Sequence, residues 1–283
     1  MSLGTSGPRV ARTYDLVERA RGGEVLRDVP IIDCHAHMGR WHNFYVPRGE
    51  AEGMIATMDA CGIDVACCSH HMALAPDEEE GNRLAFEAAG RYPERLRAYI
   101  TVNPNRERRA VEAEMAKWLG AEPCGIKLHP SVHQANVLDE RMTPVWEFAE
   151  EHGLPVLSHV WEGCAYGSPK HFEQLGERRP RVRFILGHSG GSLGGILASI
   201  EVAKRLRNVY LDLTGSQLFY GILERMVAEV GASRILFGTD LPFIDPRFQL
   251  GRVLLARLPD SRKVKILGAN AARLFRLRVG GAE

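Results

Sequence analysis

The chain has no apolar run approaching the roughly 20 residues that a membrane-spanning helix needs, so no membrane partner is expected. Its opening residues, Met1 to Pro8, are small and polar with no apolar centre, which argues against a signal peptide. No Cys-x-x-Cys pair occurs among the six cysteines (34, 61, 67, 68, 124 and 164), which excludes the usual spacing of a thiolate zinc site or a thioredoxin-like motif. Several of these cysteines fall inside apolar segments, as buried free thiols in a reducing compartment do, so a cytoplasmic location is expected. Neither sign of charge is in excess. Lys plus Arg number 36 and Asp plus Glu 35, so no general basic field gathers nucleic acid. No Gly-x-Gly-x-x-Gly follows the first strand-like segment, which removes the fingerprint of a dinucleotide-binding sheet.

What is present is a rhythm. The 283 residues, 45% hydrophobic and 25% charged, have the composition of a globular protein. Eight β-branched or apolar runs stand out: Pro30–Ala36, Asp64–Ser69, Leu96–Val102, Gly125–His129, Pro155–His159, Arg183–His188, Val209–Thr214 and Ile235–Asp240. Their starts fall 34, 32, 29, 30, 28, 26 and 26 residues apart, with helix-like stretches between. A strand and a helix repeated eight times predict parallel βαβ units closed into one (β/α)8 TIM barrel over residues 30–283, behind an N-terminal extension of residues 1–29. Punctuation supports the helices. Thr143 before Pro144 reads as an N-cap with Gly153 as the stop, and Ser168 before Pro169 repeats that opening. Tyr220–Val230 ends at Gly231, and Val111, Met115, Trp118 and Leu119 form one apolar stripe. Asp15–Arg21 is expected as a helix at the barrel's base and residues 261–276 as the closing helix.

The chemistry gathers at the ends of the strands. Asp33-Cys34-His35-Ala36-His37 closes the apolar run Val29–Ile32, and residues two apart on a strand share a face. His35 and His37 therefore form a pincer suited to a divalent metal. Later strand ends bring His70 and His71, Lys127 and His129, His159, His188, Asp212 and Asp240, so seven of the eleven histidines lie at or near such ends. In a closed barrel these ends converge on one mouth, where (β/α)8 enzymes do their chemistry. Each residue also has a plainer reading. Asp240 can cap a turn, His188 can bond backbone, and His129 can brace the pocket. Lys127 can pair with an acid, and Asp212 can orient a neighbour or close a turn. Asp33 and Glu162 are candidate partners for ligand histidines.

Taken in order, Asp33-Cys34-His35-Ala36-His37, Gly125–Pro130, Pro155–His159, Leu186–Gly191, Phe237–Pro242 and Ile266–Phe275 resemble the amidohydrolase superfamily, in its amidohydrolase-related branch of compact metal-dependent barrels. The resemblance implies one divalent ion, zinc first, held by His35, His37 and His159 with Asp240 completing or bordering the shell. It implies His188 beside the metal as a polarising or proton-handling group, and Asp240 as the other catalytic residue. A second metal enters only if Lys127 is carbamylated, with Lys127 and His129 otherwise touching substrate. The loops supply Arg40, Trp41 and Trp161 as candidate substrate contacts. Three histidines and a carboxylate leave room for a water whose pKa the metal brings towards ~7. The activity expected first is therefore hydrolysis of a small lactone, amide or ester. Compactness ranks it above the alternative, a non-oxidative decarboxylase of an aromatic or unsaturated acid on the same site, because long decarboxylases carry larger insertions. A barrel that binds metal or ligand without turnover is the third reading. The expected partner is a small-molecule substrate, and by analogy a second copy in a homodimer.

Overall fold

A computed structural model describes residues 14–215 and 217–278. Eight strands appear where the apolar runs predict them: β1 Ile32–Met38, β2 Val65–His70, β3 Leu96–Thr101, β4 Gly125–Leu128, β5 Val156–Trp161, β6 Phe184–Gly190, β7 Val209–Asp212 and β8 Ile235–Leu236. They pair in parallel in sequence order. Three backbone hydrogen bonds bring the two edges together: Cys34 N–H to Phe237 O at 2.9 Å, Asp240 N–H to His35 O at 2.9 Å, and His37 N–H to Leu241 O at 2.7 Å. The sheet is thus a (β/α)8 barrel with no free edge, which excludes the open doubly wound alternative.

Two apolar clusters hold it. Ile32, Cys34, Val65, Cys67, Tyr99, Leu157, Ile185 and Leu236 come from six strands and touch one another in one buried cluster. Six strands of a closed sheet can face each other only in the lumen. Leu274 and Phe275 join this cluster from the chain's last helix, and the Phe275 ring meets Tyr99 edge-on at 6.0 Å, so the helix plugs the base. The larger cluster fills the layer between sheet and outer helices.

Local details depart from the expectations for identifiable reasons. Thr143 is not the N-cap but the first residue of helix Thr143–His152. A 3-10 turn, Glu140–Met142, already leads into it, and the Asp139 side chain caps that turn by accepting from Arg141 N–H. Gly153 ends the helix at φ 62°, as expected. Ser168 does cap helix Pro169–Arg178, in a reciprocal box with His171. The expected Tyr220–Val230 helix starts later, at Ile222. The closing helix is broken into Asp260–Val264, a π turn at Lys265–Ala269, and Asn270–Phe275. The π turn lets Gly268 back directly onto the Pro30 carbonyl, at the start of the first strand. β8 stops at Leu236 because Asp240 turns the chain at φ 65°. Helix Leu16–Arg21 forms within the N-terminal extension and ties down through Leu16 N–H to Asp260 Oδ2 at 3.1 Å. The reading of Met1 to Pro8 lies outside the described residues. Among those described, all six cysteines are free, and no helix is long and apolar enough to cross a membrane.

Candidate metal centre

β1 carries an irregularity that sets up the site. Asp33 pairs with Ala66 but Ala36 with Cys68, so β1 spends one residue more than β2 over this stretch. Such a bulge re-aims side chains. Here it puts Cys34 into the lumen cluster while its neighbour His35 also reaches across the lumen. Simple alternation would have sent the two to opposite faces. Asp33 fastens the bulge to the turn after β8. Its carboxylate accepts from His35 N–H at 3.0 Å, from Thr239 N–H at 3.1 Å, and from the Thr239 hydroxyl. Burial raises the Asp33 carboxyl to about 8 in spite of those donors.

His35, His37 and Asp240 place one donor atom each within 4.8 Å of one another. Asp240 Oδ1 lies 3.8 Å from His35 Nε2 and 3.5 Å from His37 Nε2, while Oδ2 is 3.9 Å from His188 Nδ1. The other ring nitrogens are held from behind. His35 Nδ1–H donates to Asp212 Oδ2 at 2.7 Å, and His37 Nδ1 meets Ser69 Oγ at 3.2 Å. With Nδ1 of His35 engaged by an acceptor, its Nε2 carries the lone pair that a metal needs. Burial pushes His37 well below the usual histidine range, helped by the charge of Lys127, and keeps its imidazole neutral. Burial also pushes the Asp240 carboxyl up, but His188 and His37 more than reverse that, and the group stays ionised. Two buried, neutral imidazoles and one half-buried carboxylate form a donor set of the right chemistry for a divalent cation. His188 fits the same picture. Burial lowers it to about 4, its Nδ1 has no hydrogen-bond partner, and its backbone N–H donates to Asp212 Oδ2 at 3.1 Å.

The remaining predicted residues fall around this trio. Lys127 is fully buried, its Nζ 2.5 Å from His35 Nε2, and burial lowers the ammonium to about 8 against the pull of Asp240 and Asp212. His159 stands outside the trio. Its ring stacks on His129 at 4.1 Å and meets His188 at 4.7 Å. Trp161 lies parallel to His159 at 5.8 Å and flanks His188. On the other side of the mouth, Phe243 and His71 cover His37 at 5.7 and 4.7 Å, and Trp41 packs on His71 at 5.2 Å. Arg40 and Trp41 line a cavity of about 630 Å³ there with His70 and His71. Asp33 and Glu162 do not hold ligand rings. Asp33 braces backbone, and Glu162 accepts from the Ser192 hydroxyl. Asp212 and Ser69 have that role instead. Asp212 was visible as a strand-end acid, whereas nothing in the sequence distinguishes Ser69.

The profile of the amidohydrolase family matches residues 32–277, which takes in every strand and the whole site. The chain belongs to this family. Over 152 residues it is 28% identical to a gamma-resorcylate decarboxylase from Rhizobium sp. (strain MTP-10005), a match covering 47% of this chain and 43% of that relative. The chain thus matches less than half the length of this curated relative. A solved, uncharacterized TIM-barrel protein from Bordetella bronchiseptica superposes with a TM-score of 0.71 at 21% identity, over 88% of this chain and 99% of the other. A dihydroxybenzoic acid decarboxylase from Polaromonas sp. JS666, with bound manganese and the inhibitor 2-nitroresorcinol, superposes with a TM-score of 0.70 at 17% identity, over 89% and 99%. These two likenesses establish the (β/α)8 fold. Hydrolysis, the activity expected first, is corrected by the relatives, whose names are those of decarboxylases.

Proposed function

We propose that this barrel is a metal-dependent, non-oxidative decarboxylase of a hydroxylated aromatic acid, working with one divalent ion, manganese before zinc. The observation that carries the reading is the trio of His35, His37 and Asp240 at the barrel mouth of an amidohydrolase-family chain whose matched curated relatives are gamma-resorcylate decarboxylases. Manganese is preferred because the Polaromonas decarboxylase structure holds it. One ion is preferred because the trio of His35, His37 and Asp240 is the one such donor cluster among the described residues.

Decarboxylation breaks the bond between the ring and the carboxylate carbon, releases carbon dioxide, and leaves an electron pair on the ring carbon that must take up a proton. A cation held by His35, His37 and Asp240 would supply positive charge for the substrate's anionic oxygens. The chain's own groups do the rest. Asp212 fixes the His35 tautomer, and Ser69 fixes the His37 ring. Asp240 keeps Oδ1 towards the histidine pair and Oδ2 towards His188, so the pair can pass a proton taken from water to the ring carbon. His71, Phe243, Trp41 and Trp161 provide flat faces that stack on an aromatic ring and exclude water around it.

The test is release of carbon dioxide from 2,6-dihydroxybenzoate and related hydroxybenzoates by protein loaded with manganese or zinc. Release with loss of substrate absorbance, abolished in His37→Ala, is the expected result. No release from any hydroxybenzoate by fully loaded protein would sink the reading.

A further inference from the structure

A second cavity, of about 620 Å³, lies at the opposite end of the barrel from the metal trio and takes no part in that chemistry. Its wall is built where strands begin. Arg97 is the second residue of β3, Cys124 immediately precedes β4, Pro155 immediately precedes β5, and the chain enters the wall again after the closing helix ends at Phe275.

Three arginines line the cavity: Arg97, Arg276 and Arg278. A fourth stands behind Gly153. A Cβ built on Gly153 would lie 3.3 Å from Arg276 Nη2 and 3.7 Å from Arg183 Nη2, so these two cations crowd one point. Arg183 is committed to backbone, donating to the Gly153 and Leu274 carbonyls. Its burial, and then the like charge of Arg276, lower its affinity for a proton. Glu122 is the one carboxylate on the wall, and among the described residues none of these four arginines forms an ion pair with an acid. Nearby arginines do pair, since Arg179 and Arg181 share Glu150 at 3.7 and 3.3 Å. Among the described residues, the arginines of the cavity thus face a single wall carboxylate, Glu122, and no ion pair.

Guanidinium groups bind phosphoryl oxygens through paired N–H donors, and several around one cavity suit a dianion better than a single carboxylate. The volume is that of a small-molecule site and exceeds what free phosphate fills. Leu154, Pro155 and Leu277 supply an apolar part of the wall. We propose that this cavity is a binding site for a small organic phosphate, its phosphoryl group held by Arg97, Arg276 and Arg278 and its apolar body lying against Leu154, Pro155 and Leu277.

The test is calorimetric titration of the full chain, at low ionic strength, with phenyl phosphate, inorganic phosphate and benzoate. Phenyl phosphate is expected to bind once per chain, at least ten-fold more tightly than either of the others. Arg97→Met and Arg276→Met are each expected to weaken it ten-fold or more with unchanged circular dichroism and melting temperature. His37→Ala, at the other end of the barrel, is expected to leave it unchanged. Absence of saturable binding overturns the proposal, as does binding that survives both arginine substitutions or is lost in His37→Ala. Equal affinity for inorganic phosphate overturns the organic part of the ligand and with it the assignment.

Discussion

Asp212 serves the site from behind the His35 ring. Its carboxylate accepts from His35 Nδ1, His188 N–H, Thr214 N–H and the Thr214 hydroxyl, and its carbonyl accepts from Ser189 Oγ. Asp212→Asn leaves the shape but offers an amide that can also donate, so the His35 tautomer is no longer fixed. Metal affinity should fall by about 10- to 100-fold, read by titrating metal-free protein with manganese, and an unchanged affinity would refute the role. His188 separates from Asp212 by its chemistry. His188 lies outside the trio with its Nδ1 3.9 Å from Asp240 Oδ2, so His188→Asn should retain metal while turnover drops roughly 10²- to 10⁴-fold. Equal loss of metal and of turnover would show that His188 is a ligand instead.

At the scale of elements, the strands and most of the site were legible because burial imposes a pattern. All eight apolar runs became strands, and the histidine pair and Asp240 converged as the barrel's closure requires. The parts that stayed hidden are those where the chain breaks its own period. No alternation rule announces the bulge that sends both Cys34 and His35 into the lumen. Nor does any announce the left-handed backbone at His188, Ser189 and Asp240, with φ of 62°, 48° and 65°. Ser69 was invisible for a different reason, since a serine at the end of a buried strand has no sequence signature. Thr143 shows local chemistry losing to context, because the 3-10 turn before it had already supplied the helix start. Gly238 is the element-scale counterpart of these irregularities. A Cβ there would press on the Thr214 hydroxyl, Asp212 Oδ1 and His35 Cβ together. Gly238→Ala should lower the melting temperature and weaken metal uptake in the same variant. Full metal affinity in a folded Gly238→Ala protein would show that β8 can retreat without moving His35.

For the whole molecule, the closed sheet makes the site a meeting point of β1, β4, β6, β7 and the turn after β8, so an ion bound there ties distant parts of the chain together. Binding to the folded state alone stabilises it by about 2.7 kcal/mol at a metal concentration 100 times the dissociation constant. At about 2–4 °C per kcal/mol for a domain of this size, chelation should lower the melting temperature by roughly 5–10 °C. Calorimetric scans with and without chelator measure this, and coincident transitions would mean that the folded state gains nothing from the ion. The position of Lys127 gives such loading a particular character. Its ammonium sits on the Nε2 of His35, within the field of Asp240 and Asp212. A divalent ion held by the trio would therefore lie beside a buried ammonium, and each cation would loosen the other's hold on Asp212 and Asp240.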